Sequence, residues 1–125
     1  VSVNTPLNEE TYGMIDEYFL NNMKDDSYLI NVSRGPIVKN QEIILNALKS
    51  GKLQGYGTDV WQVEPPSESD ELIELLNNDQ EICSKVIINP HTAYYSREAL
   101  KEARTKACES CLRLIKGLKV NNRII

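Results

Sequence analysis

Short apolar runs alternate with amphipathic stretches along the whole chain, and the alternation predicts its elements. Val1-Ser2-Val3 reads as the tail of a strand, and Thr5-Pro6-Leu7-Asn8 turns the chain away from it. No polar or capping lead-in precedes that strand, so further polypeptide is expected before Val1. Asp16 can cap a helix over Tyr18 to Met23, which Lys24-Asp25-Asp26-Ser27 breaks. Tyr28 to Val32 follows as a β-rich run with little alternation, the pattern of a strand buried on both faces. Ser33-Arg34-Gly35-Pro36 forces a sharp exit, and Asn40 then caps an amphipathic helix with Ile43, Ile44, Ala47 and Leu48 as its stripe and Gly51 at its end. The order repeats. Gly55 to Val60 is the next strand, Trp61 to Ser69 an irregular loop holding Pro65-Pro66, and Asp70 to Asn77 a helix. Val86 to Asn89 is the last strand. A long helix from about Ser96 to Lys116 closes the pattern, with Leu100, Ala103, Ala107, Cys111, Leu114 and Leu118 at steps of three and four.

Strands alternating with helices imply parallel βαβ units joined by right-handed crossovers. The carboxyl ends of such strands form the edge at which ligands bind, and here they carry Arg34, then Asp59 and Glu64, then His91. His91 is the only histidine of the 125 residues, which makes it the one side chain whose ordinary titration falls near neutral pH. Pro90 disfavours helix at Asn89 and holds the imidazole on the loop after the strand. A carboxylate beside it makes a general acid/base pair, and an arginine supplies a fork for a substrate carboxylate. Singly, each residue also has a plain structural reading: Arg34 as a solvated loop residue, Asp59 as a turn cap, Glu64 as an exposed neighbour of two prolines, His91 as a capping histidine.

Composition narrows the classes. At 125 residues, 41% hydrophobic and 26% charged, the chain has the make-up of one ordinary small domain. A net charge of -4 gives no basic face for nucleic acid or an anionic membrane. No apolar run reaches spanning length and no signal peptide opens the chain, so a cytoplasmic setting is expected. Three cysteines without framework spacing argue against a disulfide scaffold. Cys108 and Cys111 form CxxC on the last helix, with no second pair or nearby histidine, and no metal site is expected. They read, instead, as buried small apolar residues. The acidic segment Ser67 to Glu81 reads as a solvated insertion.

Three ordered stretches go further: NVSRG from Asn31, GKLQGYGTDVWQVEPP from Gly51, and NPHTAYYS from Asn89. Together they resemble the successive signatures of the D-isomer-specific 2-hydroxyacid dehydrogenases, over about Val3 to Lys116. The resemblance implies an α/β fold, the C-terminal half of a doubly wound, Rossmann-type parallel sheet, with residues 1–116 in the NAD-binding domain. Residues 117–125 would pack on an absent substrate domain. Arg34, Glu64 and His91 match the family's catalytic positions. Asp59 matches the aspartate that receives the nicotinamide carboxamide. Thr5, Pro6, Leu7 and Thr11 match a turn beside the adenosine half of NAD, while Val32, Ser33, Arg34, His91 and Tyr94 match further cofactor-lining positions. Arg34 would bind the carboxylate of a small 2-keto acid, His91 would give its proton to the reduced oxygen, and Glu64 would orient the imidazole. Tyr94, with Tyr95, would shape the side-chain pocket, and Trp61 shares the ambiguity between pocket and packing. The resemblance also implies a homodimer.

The family's GxGxxG fingerprint and the acidic residue that chooses NAD over NADP are absent. The chain alone is therefore expected to be inactive. PHTAYYS is more similar to the D-lactate dehydrogenase branch than to the phosphoglycerate branch. An aromatic at Tyr94 also fits the C-terminal binding protein corepressors, so a NAD-sensing corepressor is the alternative reading.

Overall fold

In the computed structural model, which describes residues 1–120, the chain forms two compact units, Val1–Ala93 and the segment from Tyr94 onward. The first unit holds four parallel strands in sequential order: β1 (Ser2–Val3), β2 (Ser27–Asn31), β3 (Leu53–Thr58) and β4 (Val86–Ile88). Asn31 pairs with Thr58 and Thr58 with Ile88, so three strands end level with one another. That alignment sets the loops that follow side by side.

Local chemistry starts each helix of the first unit. The Asp16 carboxylate accepts from Phe19 N at 2.8 Å and opens α1 (Glu17–Asn22). Asn40 does the same for Ile43 N at the head of α2 (Gln41–Lys49), and Gly51, at φ 79°, lets the chain leave it. Asp70 and Asp79 cap α3 (Glu71–Asn78) and α4 (Gln80–Cys83). Ile43, Ile44, Leu45, Ala47 and Leu48 of α2 join Leu29, Leu53, Tyr56, Leu72 and Ile82 in a single core.

Several expectations are corrected. The strand expected over Gly55 to Val60 runs two residues earlier, because the Thr58 hydroxyl closes a turn on Val60, donating to its carbonyl at 2.6 Å. The strand expected to be buried on both faces alternates: Leu29 and Asn31 are buried, whereas Tyr28, Ile30 and Val32, with Ile87 of β4, are exposed. Crossovers of one hand put the covering helices on one side only. The acidic stretch is more than a solvated insertion, since Leu72 of α3 is 0% exposed and Ile82 of the unforeseen α4 is buried beside the same core.

The second unit is the helix α5 (Arg97–Ile115), capped by Ser96 through Ala99 N at 3.0 Å, with Glu102 and Lys106 paired along it. None of its residues is buried, so Cys108 and Cys111 are exposed thiols rather than buried apolar residues; Cys83 is exposed as well. The tail expected to pack on another domain falls, from Asn121, outside the described residues. Among the described residues no helix is long and apolar enough to cross a membrane, and no group of three His, Cys, Asp or Glu could hold a metal ion.

Candidate active site at the carboxyl edge of the sheet

The ends of β2 and β3 each fix a loop through a buried polar side chain. After β2, Asn31 donates from Nδ2 to the Arg34 carbonyl at 2.9 Å and accepts from Ser33 N at 3.1 Å. This turn aims the residue at position 34, and a 3₁₀ turn, Gly35–Ile37, carries the chain on. After β3, buried Asp59 accepts from Thr92 N at 2.7 Å through one carboxylate oxygen and from Ala93 N at 2.8 Å through the other. Asp59 thus ties the β3 end to the loop after β4. That loop needs the tie, because His91 stands at φ 53°, a left-handed conformation that ordinary side chains disfavour by roughly 1–2 kcal/mol.

The result is a direct pair. His91 Nδ1 lies 2.7 Å from Glu64 Oε2, and the other oxygen of Glu64 accepts from Trp61 N at 3.0 Å. An ionised carboxylate can only accept, so Nδ1 carries the proton of that bond, and Nε2 is left as the nitrogen that can pass a proton on. The hydrogen bond from His91 is the main reason the Glu64 carboxyl titrates below its ordinary range, with the Trp61 N–H second. Partial burial opposes them, and the charges of His91 and Arg34 add a further lowering. Both side chains remain reachable, at 41% and 37% exposure. Arg34 is exposed too, its Nη1 donating only to the Ser33 carbonyl at 2.7 Å.

Beyond this pair, an open cleft of about 560 Å³ runs along Thr5, Pro6, Leu7, Val32, Ser33 and Arg34. Ser33 Oγ donates to the Thr5 carbonyl, while the Thr5 hydroxyl is buried without a partner. A buried, unpaired hydroxyl beside an apolar wall and a guanidinium is a donor and acceptor held ready for a polar ligand. Thr11 is occupied differently: its hydroxyl donates to the Pro6 carbonyl at 2.7 Å and closes the turn. Tyr94 and Tyr95 open the second unit as an exposed edge-to-face pair with ring centroids 6.3 Å apart.

Three contacts at the site were left unassigned by the sequence. The Trp61 amide holds Glu64, Gly35 lets two loops touch, and Gln62 bonds the carbonyls of Gly35 and Val38 at 3.1 and 2.6 Å. Gly35 had a signal in its place beside Arg34; Gln62 had none, because its partners are 27 and 24 residues away.

Comparison with known proteins places this edge in context. Residues 1–93, which coincide with the first unit, match the family model described as D-isomer specific 2-hydroxyacid dehydrogenase, NAD binding domain. A D-specific alpha-keto acid dehydrogenase of Enterococcus faecium is 34% identical, over 90% of this chain and 36% of its own length. A glyoxylate reductase of Korarchaeum cryptofilum is 37% identical, over 94% of this chain and 32% of its own. Among solved structures, the D-lactate dehydrogenase of Aquifex aeolicus, complexed with NAD and lactic acid, superposes with a TM-score of 0.75 at 31% identity, over 93% of this chain and 37% of that one. The chain thus spans about a third of the length of the relatives it matches.

Proposed function

Since the chain belongs to the D-isomer-specific 2-hydroxyacid dehydrogenases, within their NAD binding domain, we propose that it carries the proton-transfer and carboxylate-binding residues of a NAD-dependent oxidoreductase. The enzyme interconverts a small D-2-hydroxy acid and its 2-keto acid, and the remaining two thirds of the relatives' length supply the rest of its site. The observation that carries this reading is the 2.7 Å contact between His91 and Glu64 at the level where Arg34 also leaves the sheet.

The cofactor reading rests on the cleft at Thr5, Pro6, Leu7, Val32 and Ser33, whose buried, unpartnered Thr5 hydroxyl fits a dinucleotide's polar atoms. NAD, when bound, supplies or accepts the hydride. The chain's own residues bind the carboxylate and move the proton. Arg34 takes the substrate carboxylate in a two-point, charge-assisted contact worth about 1.5–3 kcal/mol. His91, protonated, gives a proton from Nε2 to the substrate oxygen as the carbonyl becomes a hydroxyl, and takes it back in the reverse direction. Glu64 fixes the ring, and Asp59 holds the loop that presents it. Three exposed, unpaired thiols suit a reducing, cytoplasmic compartment, and a homodimer is part of this proposal.

The relatives named above are enzymes, which favours this reading over a NAD-sensing corepressor. An assay of the complete polypeptide with NADH and a series of 2-keto acids tests it. Steady turnover is expected, with His91→Asn lowering kcat by about 10²–10⁴-fold; a variant as fast as the parent would refute it.

A further inference from the structure

The loop that presents Arg34 and the loop that presents Glu64 come from different strands, yet they are locked face to face. A Cβ placed on Gly35 would lie 1.8 Å from the Trp61 carbonyl oxygen and 2.0 Å from its carbon, so the two backbones are already in contact. Across that contact the Gln62 side chain reaches over, and both hydrogens of its Nε2 find acceptors: the Gly35 carbonyl at 3.1 Å and the Val38 carbonyl at 2.6 Å. These two carbonyls flank the 3₁₀ turn that begins immediately after Arg34. The opposite side of that turn is held by Gly13 N on the Pro36 carbonyl at 2.9 Å and Ile15 N on the Ile37 carbonyl at 3.0 Å. Among the described residues no other donor meets the Val38 carbonyl, and Val38 is buried. Gln62 stands one residue after Trp61, whose amide holds Glu64, and two before Glu64 itself.

We propose that Gln62 is a positioning residue: its amide clamps the turn behind Arg34 to the turn that carries Glu64, and so sets the spacing between the substrate's carboxylate anchor and the proton-transfer pair. This rests on the roles given to Arg34, Glu64 and His91 above. The clamp needs a donor at the end of a side chain of this length. An isosteric residue without hydrogens to give would leave the Val38 carbonyl buried and unpaired and let the turn drift. Glu64 is held by the Trp61 amide and by His91, and Gln62 bonds neither, so the His91–Glu64 bond survives the loss of the clamp. The effect therefore falls on substrate binding through Arg34.

The test is steady-state kinetics of the complete enzyme with a 2-keto acid and NADH. Gln62→Met is expected to raise KM for the keto acid about tenfold while the pH limit of kcat stays where it is. Gln62→Lys, which keeps a donor, recovers most of that loss. Combined with Arg34→Lys, Gln62→Met adds less than its single effect, because both act through one group. Leu72→Ala, a core change in α3, measures what loss of folded protein does alone: it lowers apparent kcat and leaves KM unmoved. A Gln62→Met enzyme that behaves like Leu72→Ala, or that adds in full to Arg34→Lys, overturns the clamp and leaves the proposed function standing. A parent enzyme that turns over no 2-keto acid overturns that function, and the clamp with it.

Discussion

The two side chains proposed to meet the substrate, His91 and Arg34, are held in opposite ways. His91 is fixed at every level: its backbone by Asp59 through the next two amides, its ring by Glu64, and Glu64 in turn by the Trp61 amide. Arg34 has an equally fixed backbone, bonded by Asn31 and followed by the clamped 3₁₀ turn, but its guanidinium touches only the neighbouring Ser33 carbonyl. The difference suits the roles proposed for them. A proton is passed over a short, aligned path, so its carrier gains from being oriented before the substrate arrives. An anchor for a carboxylate must keep its donors unspent, and a carboxylate of the protein in its place would compete with the ligand.

The strongest way to break this arrangement is at the seam between the two loops. Gly35→Ala forces a methyl into the backbone of Trp61, which cannot swing aside as a side chain would. A loss of about 3 kcal/mol of stability is expected by urea denaturation, toward the upper end for overpacking; a loss under about 1 kcal/mol would mean the loops are not in contact. Arg34→Lys separates the halves more gently. It keeps the charge and removes the fork, so KM for the keto acid should rise about tenfold to a hundredfold, with the pH dependence of kcat unchanged. A shift in the pH limit instead would show that Arg34 works on the proton pair rather than on the carboxylate.

The smallest effect is the pH dependence of the pair itself. The Glu64 carboxyl is lowered chiefly by its bond to His91. Its contribution to stability is therefore present above the ordinary glutamate range and is lost only as pH falls through the lowered value. For side chains this exposed the contribution is under about 1 kcal/mol. Following the Glu64 carboxyl carbon by NMR across an acid titration reads it directly. His91→Asn should move the midpoint upward, toward an ordinary glutamate; an unmoved midpoint would mean that His91 is not the partner that sets it.

Much of this molecule is local in origin. Asp16 and Asn40 cap their helices from the sequence position the pattern gives them, because a cap reaches only three residues ahead. The alternation of apolar runs determined the parallel sheet, and three short motifs placed Arg34, Glu64 and His91 on its carboxyl edge. Boundaries and burial were less legible. The Thr58 turn ended β3 early, and the open face of β2 carries Tyr28 and Ile30 in a run whose composition reads as fully buried. Only the tertiary structure decided how the motifs meet. Asp59 binds amides 33 and 34 residues away, Glu64 finds His91 across 27, and Gln62 spans 27 and 24 to reach the turn behind Arg34. Such contacts depend on the register of neighbouring strands, which brings Asn31, Thr58 and Ile88 level. A chain read in order carries the residues, but their distances exist only once the sheet has aligned them.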